Sequence, residues 1–289
     1  MTELLHETDA LRERCDQARG AGLRVGLVPT MGALHVGHLS LVEAVRAAGA
    51  DRVVVTIFVN PLQFAAGEDL ERYPRTLASD LDLLRSLGVD IAFAPTPATV
   101  YPPDFQTHVE VTGITASLEG ESRPTHFRGV TTVVAKLFNM VGPCVAAFGR
   151  KDYQQWRTLS RMVEDLNMPI EVLGCPIIRE PDGLALSSRN RYLSAEDRKR
   201  ALSLSAGLRA ASERFAQGER NADALVKAAR GPVDAHTDLV DYVALVDANS
   251  LVPVNGPCGP QAAVLIAAHV GSTRLIDNMI LGQDAPPGE

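Results

Sequence analysis

Basic runs, cysteine pairs and long apolar stretches are all missing from this 289-residue sequence. A formal net charge of −7 and the lack of a lysine/arginine run argue against a dedicated nucleic-acid-binding surface, because such binding rests mainly on neutralising phosphates. Its four cysteines form no C-x-x-C pair, which argues against a zinc site and a disulfide framework. No apolar run approaches the roughly 20 residues that span a bilayer, and residues 1–20 are charged throughout. We therefore expect a soluble cytoplasmic protein that binds neither nucleic acid nor membrane.

What the chain does contain is an alternation of short apolar runs and longer segments of helical period. Strands are predicted at 23–30, 51–60, 89–95, 144–149 and 170–176, with helices between them at 36–49, 77–88, 126–141 and 152–167. This order predicts an α/β fold with a Rossmann-like, doubly wound parallel sheet.

The pattern of predicted helices and strands changes after about residue 177. Helices at 195–217 and about 220–230 precede two segments, 239–247 and 261–281, that have the character of antiparallel strands. This pattern predicts a smaller C-terminal α+β domain. We therefore expect a first domain at 1–177 and a second at 178–289. The last residues, 282–289, are expected to be disordered.

The junction "PTMGALHVGH" (29–38) lies where the first predicted strand passes into its helix. Ligands of doubly wound sheets bind at this end of the strands, and unpaired N–H groups at a helix start favour an anion there. Gly32 and Gly37 let a phosphate approach the backbone closely. His35 and His38 are three residues apart, which places both imidazoles on the same side of the helix start.

Three interpretations of this histidine pair are open on the residues alone. The imidazoles can donate to phosphate oxygens as charge develops. They can instead have a purely structural role, or bind a metal ion. The glycine spacing is not G-x-G-x-x-G, so the junction favours nucleotidyl transfer over hydride transfer.

Two further strand ends carry polar side chains. "FVNPLQF" (58–64) ends the second strand with Asn60 and Gln63, whose amides suit a ligand with a hydroxyl and a carboxylate. The alternative is a capping loop after Pro61. "FGRKDYQQ" (148–155) offers Gly149 for close approach and Lys151 as a positive charge for a phosphate, unless it is an ordinary polar helix start.

A serine-rich turn, "LSSRN" (186–190), lies at the predicted domain boundary. Ser187 and Ser188 can hydrogen-bond phosphate oxygens, and Arg189 can bind them in a bidentate manner. Taken alone, such a segment is usually just a turn. Its occurrence together with the H-x-G-H segment is the stronger indication.

H-x-G-H at this junction resembles the nucleotidyltransferase superfamily that includes the class I aminoacyl-tRNA synthetases, in which a K-M-S-K-S-like loop follows the Rossmann domain. "LSSRN" is similar to that loop. Over about residues 25–195 the chain resembles the pantothenate synthetase family, the pantoate–β-alanine ligases. The segments that carry this resemblance are "FVNPLQF" (58–64), "EDLERYPRT" (68–76), "HFRGVTTVVAKLFNMV" (126–141), "FGRKDYQQ" (148–155) and "DGLALSSRNRYLS" (182–194). The C-terminal third is similar only in length and texture.

The resemblance implies an ATP-dependent ligase that makes pantothenate from pantoate and β-alanine through pantoyl adenylate, with Mg²⁺ and as a homodimer. It implies His38, His35 and Lys151 as catalytic residues, and Asn60, Gln63 and Gln155 as substrate-binding residues. The ATP-binding set it implies is Met31, Gly32, Ala33, Leu34, His35, Val36, Gly37, His38, Gly149, Arg150, Lys151, Asp152, Ile178, Leu186, Ser187, Ser188 and Arg189. The first domain would bind ATP and pantoate, and the second would act as a lid.

Some positions leave the interpretation open. Asp80 suits either the metal–phosphate region or a helix start, where an acid favours the dipole. Arg150 and Thr125 depart from the residues usual in the family. Two other classes share H-x-G-H or nucleotide binding: a nucleotidyltransferase that stops at its nucleotidyl product, and a non-catalytic nucleotide-binding regulator.

Overall fold

The computed structural model describes residues 2–65, 68 and 70–288, and it consists of two compact units. The first comprises Met1–Arg150 and Gln155–Pro176. The second comprises Lys151–Gln154 and Ile177–Glu289. Each unit has its own hydrophobic core, and each is described by itself below.

The first unit is built on a six-stranded sheet whose paired strands are all parallel. Its order is β1-β4-β3-β2-β5-β6, with β1 (Glu3–Leu5), β2 (Val25–Thr30), β3 (Arg52–Ile57), β4 (Ile91–Phe93), β5 (Cys144–Gly149) and β6 (Ile170–Cys175). The chain moves outward from β2 to β4 and then returns to place β5 beside β2. The switch point of the sheet therefore lies between β2 and β5, where ligands of such folds bind.

Helices cover both faces of this sheet. They are α1 (Thr8–Gly20), α2 (Val36–Ala47), α3 (Leu77–Ser86), α4 (Pro97–Val100), α5 (Glu119–Ser122), α6 (His126–Val141) and α7 (Tyr153–Asp165). Successive strand residues point to opposite faces, so Leu27 joins the core that contains α6 while Val28 joins the core that contains α2. Strands buried on both faces explain the continuous apolar runs in the sequence. The predicted α/β class and parallel sheet are confirmed.

The N-terminal segment contains two elements that the sequence pattern did not indicate. β1 is only three residues long and gains its identity from parallel pairing with β4, so its own sequence carries little signal. In α1 only Leu11 and Cys15 are buried, which leaves the helix too polar for its apolar face to stand out. Both elements depend on tertiary packing more than on local pattern.

The second unit packs α8 (Ala195–Ala216) and α9 (Ala222–His236) with an antiparallel sheet of β7 (Leu239–Asp247), β8 (Ala262–Val270) and β9 (Thr273–Ile280). The predicted smaller α+β unit is confirmed. Gly207 lets the helices approach closely, because a Cβ there would lie 2.5 Å from the Ala229 carbonyl oxygen. No helix within the described residues is long and apolar enough to cross a membrane.

The prediction of a disordered tail is wrong as far as Gly288. Residues 282–288 fold back within the second unit, and Pro287 is buried. Arg209 Nε donates to the Pro287 carbonyl oxygen at 3.1 Å, and the Ile280 N–H donates to Asp284 Oδ2 at 2.8 Å. The polar, proline-rich composition hid these contacts because they are made with backbone and distant side chains.

Candidate active site

The two histidines of the H-x-G-H segment cap the start of α2. His35 is the N-cap residue, and its Nδ1 accepts from the Gly37 N–H at 3.2 Å. His38 Nδ1 in turn accepts from the His35 N–H at 3.3 Å. The ring centroids are 4.1 Å apart. These reciprocal bonds form a capping box in which imidazoles replace the usual hydroxyl and carboxylate.

The expectation of unpaired backbone N–H groups at the helix start is wrong for three of them, those of His35, Gly37 and His38. The N–H groups of His35 and Gly37 are bonded to imidazole nitrogens, and that of His38 donates to the His35 carbonyl oxygen at 2.7 Å. A neutral ring that accepts at Nδ1 carries its proton at Nε2. Nε2–H is therefore the donor group of each of these two imidazoles.

The loop before α2 is held by a buried carboxylate. Asp80 on α3 is 3% exposed, and its two oxygens accept from the N–H groups of Ala33 at 3.0 Å and Leu34 at 2.9 Å. Thr76 Oγ1 also donates to Asp80 at 3.0 Å. The loop needs such support because Gly32 and Ala33 both have positive φ, at 81° and 51°. The Asp80 side chain thus supports the loop by accepting hydrogen bonds from backbone N–H groups of the loop.

Asn60 orients Gln63 at the end of β3. Its side chain is 1% exposed, and its Nδ2 donates to Gln63 Oε1 and to the Gly129 carbonyl oxygen, both at 3.1 Å. Its Oδ1 accepts from Tyr101 Oη at 2.8 Å and from the Leu62 N–H at 3.3 Å. Every polar atom of the Asn60 side chain is bonded within the protein. The geometry therefore makes Asn60 a support for Gln63, and the predicted contact of Asn60 with substrate stays a prediction.

The turn that carries Gln63 lies directly against α6. A Cβ at Gly129 would lie 2.2 Å from the Leu62 carbonyl oxygen, so only glycine permits this approach. Gln63 Nε2 lies 3.4 Å from Met31 Sδ, which brings the ends of β2 and β3 together at one edge of the sheet. The sequence prediction that these two strand ends share an edge is confirmed by this contact.

A charged cluster holds the backbone of the same turn. The Gln63 carbonyl oxygen accepts from Arg123 Nη2 at 3.3 Å and from His126 Nδ1 at 2.9 Å. Arg123 also donates to both carboxylate oxygens of Glu68, at 2.8 and 2.6 Å. Burial alone would raise the pKa of Glu68, but the hydrogen bonds and charge of Arg123 outweigh it and lower that pKa. Arg123 and His126 thus support the site by holding the backbone that carries Gln63.

We expect His126 to make the protein less stable as the pH falls. Burial lowers the pKa of His126 to about 4, whereas an unfolded histidine has a pKa of about 6.5. As the pH falls between these values, the unfolded chain takes up a proton before the folded one. This removes up to about 3 kcal/mol of unfolding free energy between pH 6.5 and 4.

Urea unfolding of the wild type and His126→Asn across this pH range measures the effect. An asparagine amide retains a donor for the Gln63 carbonyl but does not titrate. The wild type should therefore lose stability relative to the variant as the pH falls. Parallel curves would contradict this prediction.

The end of β5 leads into a short 3-10 turn, Arg150–Asp152, and then into α7. Gly149 is the last residue of β5, and a Cβ there would meet nothing within 4 Å, so backbone approach is open. Gln155 is half-buried in the first turn of α7. Lys151 belongs to the second unit, where its carbonyl oxygen accepts from Asn278 Nδ2 at 2.8 Å and its Nζ lies 3.7 Å from Asp152 Oδ1.

The serine–arginine loop of the second unit follows a tight hairpin. The Leu186 N–H donates to the Ile178 carbonyl oxygen at 2.9 Å, which closes the hairpin. Ser187 caps the following 3-10 turn, Ser188–Tyr192, and its Oγ accepts from the Arg189 N–H at 3.3 Å. Asn190 fastens the turn, since its Nδ2 donates to Glu180 Oε1 at 2.8 Å and to the Ala185 carbonyl oxygen at 3.1 Å.

Two arginines anchor this hairpin through ion pairs. Arg179 donates to both carboxylate oxygens of Asp277 on β9, at 2.7 and 2.9 Å, and Asp277 is 3% exposed. Arg198 on α8 binds Glu180 and Asp182, and its hydrogen bonds to these two carboxylates raise the pKa of Arg198. Neither anchor was apparent from the sequence, because each joins residues of separate elements.

Metal ligands are scarce among the residues that the structure describes, which include no group of three His, Cys, Asp or Glu side chains arranged to hold an ion. Both oxygens of Asp80 already accept backbone N–H groups. Mg²⁺ takes few protein ligands when phosphates supply the rest. The described residues therefore do not form a protein cage for Mg²⁺, and the metal role open for Asp80 gains no support.

The fold and this site define an α/β protein whose paired histidines lie at the switch point of a doubly wound sheet. Residues 3–280 match the model of the family described as pantoate-beta-alanine ligase. A pantothenate synthetase of Syntrophotalea carbinolica is 51% identical over 277 residues, which cover 96% of this chain and 97% of that protein. The chain therefore belongs to the pantoate–β-alanine ligase family.

Solved structures agree with this assignment. The pantothenate synthetase of Thermus thermophilus matches with a TM-score of 0.89 and 45% identity, covering 97% of this chain and 99% of that one. A pantoate-beta-alanine ligase of Francisella tularensis, complexed with β,γ-ATP and β-alanine, matches with a TM-score of 0.79 and 30% identity, covering 99% of this chain and 100% of that one.

Proposed function

We propose that this protein joins (R)-pantoate to β-alanine with ATP, forming pantothenate, the precursor of coenzyme A, and releasing AMP and pyrophosphate. Membership of the pantoate–β-alanine ligase family over residues 3–280 carries the proposal. The paired Nε2–H donors of His35 and His38 support it, because they suit a reaction in which charge develops on phosphate oxygens.

In the first step, a pantoate carboxylate oxygen attacks the α-phosphorus of ATP, and the bond from that phosphorus to pyrophosphate breaks. Pantoyl adenylate and pyrophosphate result. His38 and His35 donate to the α-phosphate oxygens and stabilise the charge that develops there. Gln63 and Gln155 hold pantoate through its hydroxyl and carboxylate oxygens.

In the second step, the β-alanine amine attacks the activated carbonyl carbon and expels AMP, and the amine loses its proton as the amide forms. No enzyme nucleophile is needed. The four cysteines are buried, and burial raises the pKa of Cys15 to about 11 and that of Cys144 to about 12, so these thiols are poor nucleophiles at neutral pH. Catalysis consists of positioning and charge stabilisation.

The phosphates of ATP are assigned to Lys151, Ser187, Ser188 and Arg189, and the ribose hydroxyls to Asp152. Met31, Gly32, Ala33, Leu34, Val36, Gly37, Gly149, Arg150, Ile178 and Leu186 complete the proposed ATP-binding set through backbone and apolar contacts. Mg²⁺ would enter with the nucleotide, shielding its β- and γ-phosphates. In this proposal residues 1–177 bind ATP and pantoate, while residues 178–289 act as a lid that keeps water from the mixed anhydride. A homodimer in the cytoplasm stays a prediction.

A steady-state assay of AMP release, with pantoate, β-alanine and ATP omitted in turn, tests the function. Sustained AMP formation is expected only with all three, and pantoate alone should support ATP–pyrophosphate exchange. AMP made without either organic substrate would overturn the proposal. Exchange that β-alanine never converts into AMP release would favour a nucleotidyltransferase that stops at its adenylate.

A further inference from the structure

The loop of residues 31–34 leads directly to His35, and one side chain from elsewhere in the first unit accepts from two of its backbone N–H groups. Asp80 lies on α3 and reaches the loop with a carboxylate that is almost fully buried. We propose that Asp80 is a positioning residue for adenylation: it holds this loop so that His35 and His38 present their Nε2–H groups to the α-phosphate. This role of Asp80 rests on the proposed function.

The number and direction of the bonds to Asp80 support this role. Two consecutive N–H groups, those of Ala33 and Leu34, each donate to a different oxygen of the Asp80 carboxylate. Successive N–H groups do not converge in this way along a strand, but they do in the nest formed where the backbone turns. The carboxylate takes the place of an anion that such a loop would otherwise bind. Asp80 is therefore a fixed internal anion for the loop.

The backbone conformation of the loop also requires support. Gly32 and Ala33 both lie in the left-handed region, and alanine occupies that region only at a cost. A Cβ at Gly32 would lie 3.0 Å from Asp80 Oδ2, so the loop and the carboxylate are closely fitted. Loss of the two hydrogen bonds to Asp80 would leave this strained loop conformation without its main support. The backbone of His35, which follows the loop directly, would then no longer be held in one position.

The chemistry of the acceptor explains why the residue is an aspartate. A carboxylate only accepts, so it satisfies two N–H donors at once. An asparagine of the same size accepts with one atom and presents an N–H group with the other, which would face a backbone donor. Thr76 Oγ1 donates to the same carboxylate and fixes its rotation. The loop thus requires both the charge and the two acceptor oxygens of a carboxylate. Asp80→Asn removes the charge and one acceptor while the size of the side chain stays the same.

The test compares Asp80→Asn with Asp82→Asn, a change on the same helix at an exposed carboxylate that pairs with Arg85 at 2.8 Å. Hydrogen exchange of the peptide covering residues 31–38 gives a readout that needs no activity. Its amides should exchange about tenfold faster in Asp80→Asn. The Asp82→Asn protein should match the wild type.

Activity gives the second readout. In pantoate-dependent pyrophosphate exchange, Asp80→Asn should lower kcat/KM for ATP about a hundredfold, because misplaced catalytic groups cost that much. The Mg²⁺ concentration that gives half-maximal rate should not change. A rise in that concentration, or rescue by excess Mg²⁺, would make Asp80 a metal ligand and overturn the proposal. Unchanged exchange of the 31–38 peptide would overturn it too.

Thr76→Val provides a variant that retains the carboxylate and the fold. It should shift both readouts in the same direction by about threefold, since it removes one hydrogen bond to a charged group. If instead the wild type fails the AMP assay while Asp80→Asn still loosens the 31–38 amides, the proposed function is wrong and the support of the loop by Asp80 stands. The two failures are therefore distinguishable.

Discussion

Replacing His38 with alanine is expected to lower pantoate-dependent pyrophosphate exchange by about a hundredfold or more, the usual effect of losing a donor to transition-state charge. Two functions disappear together in this variant. The Nε2–H group that we propose as a donor to the α-phosphate is lost, and Nδ1 no longer accepts from the His35 N–H. Rates of exchange at saturating ATP and pantoate measure the loss.

Two amide variants separate these functions. In His38→Asn the side-chain oxygen can replace Nδ1 and preserve the cap, but no donor remains at the Nε2 position. In His38→Gln an amide N–H can replace Nε2–H while the cap is lost. We expect His38→Asn to be as inactive as His38→Ala, and His38→Gln to retain more activity. Wild-type exchange in His38→Asn would rule out phosphate stabilisation by this histidine.

Among the variants that we propose, Arg179→Ala should lose the most stability, about 3–5 kcal/mol in the free energy of unfolding. The change leaves Asp277 buried at 3% exposure without this cation, although the N–H of Asn278 still donates to it at 2.8 Å. It also removes the donor to the Gly183 carbonyl oxygen at 3.1 Å, so the 178–186 hairpin loosens. Urea unfolding followed by circular dichroism measures the loss, and hydrogen exchange of β9 peptides locates it.

A matched control lies in the same unit. Arg230 pairs with Asp234 at 3.0 Å on the exposed surface of α9, and Arg230→Ala should change the unfolding free energy by less than about 1 kcal/mol. The double variant Arg179→Met, Asp277→Leu removes both buried charges and should be more stable than Arg179→Ala alone. Equal stability of Arg179→Ala and Arg230→Ala would contradict the importance of burial.

The fold was predictable wherever burial imposes a pattern on the sequence. Central strands such as β3 and β5 are buried on both faces, so each is a continuous apolar run between turn residues. The short β1 and the polar α1 carry no such pattern. They form because β1 pairs with β4 and α1 packs against the core. The folded tail escaped prediction for the same reason, since Arg209 holds Pro287 from a distant helix.

The site was predictable in its location but not in its supports. Strand-end position and glycine–histidine spacing indicated the β2–α2 junction and the edge that it shares with Gln63. That the histidines would cap α2 with their own rings depends on side-chain rotamers, which spacing does not reveal. Asp80 lies 46 residues from Leu34, and no local pattern joins them. Gly129 was an available signal, because glycine is disfavoured within a helix unless something approaches closely.

The Arg179–Asp277 pair also bears on the order in which the protein can be completed during translation. Asp277 lies on β9, the last strand, 98 positions after its partner. Since the N-terminal part of a chain emerges first, Arg179 leaves the ribosome long before its partner Asp277 has been synthesised. The sheet that binds pantoate in our proposal can fold early, and the loop to which the proposal assigns the phosphates first gains its bonds to Asn190 and Arg198, whereas the buried ion pair with Asp277 forms only when synthesis is nearly finished.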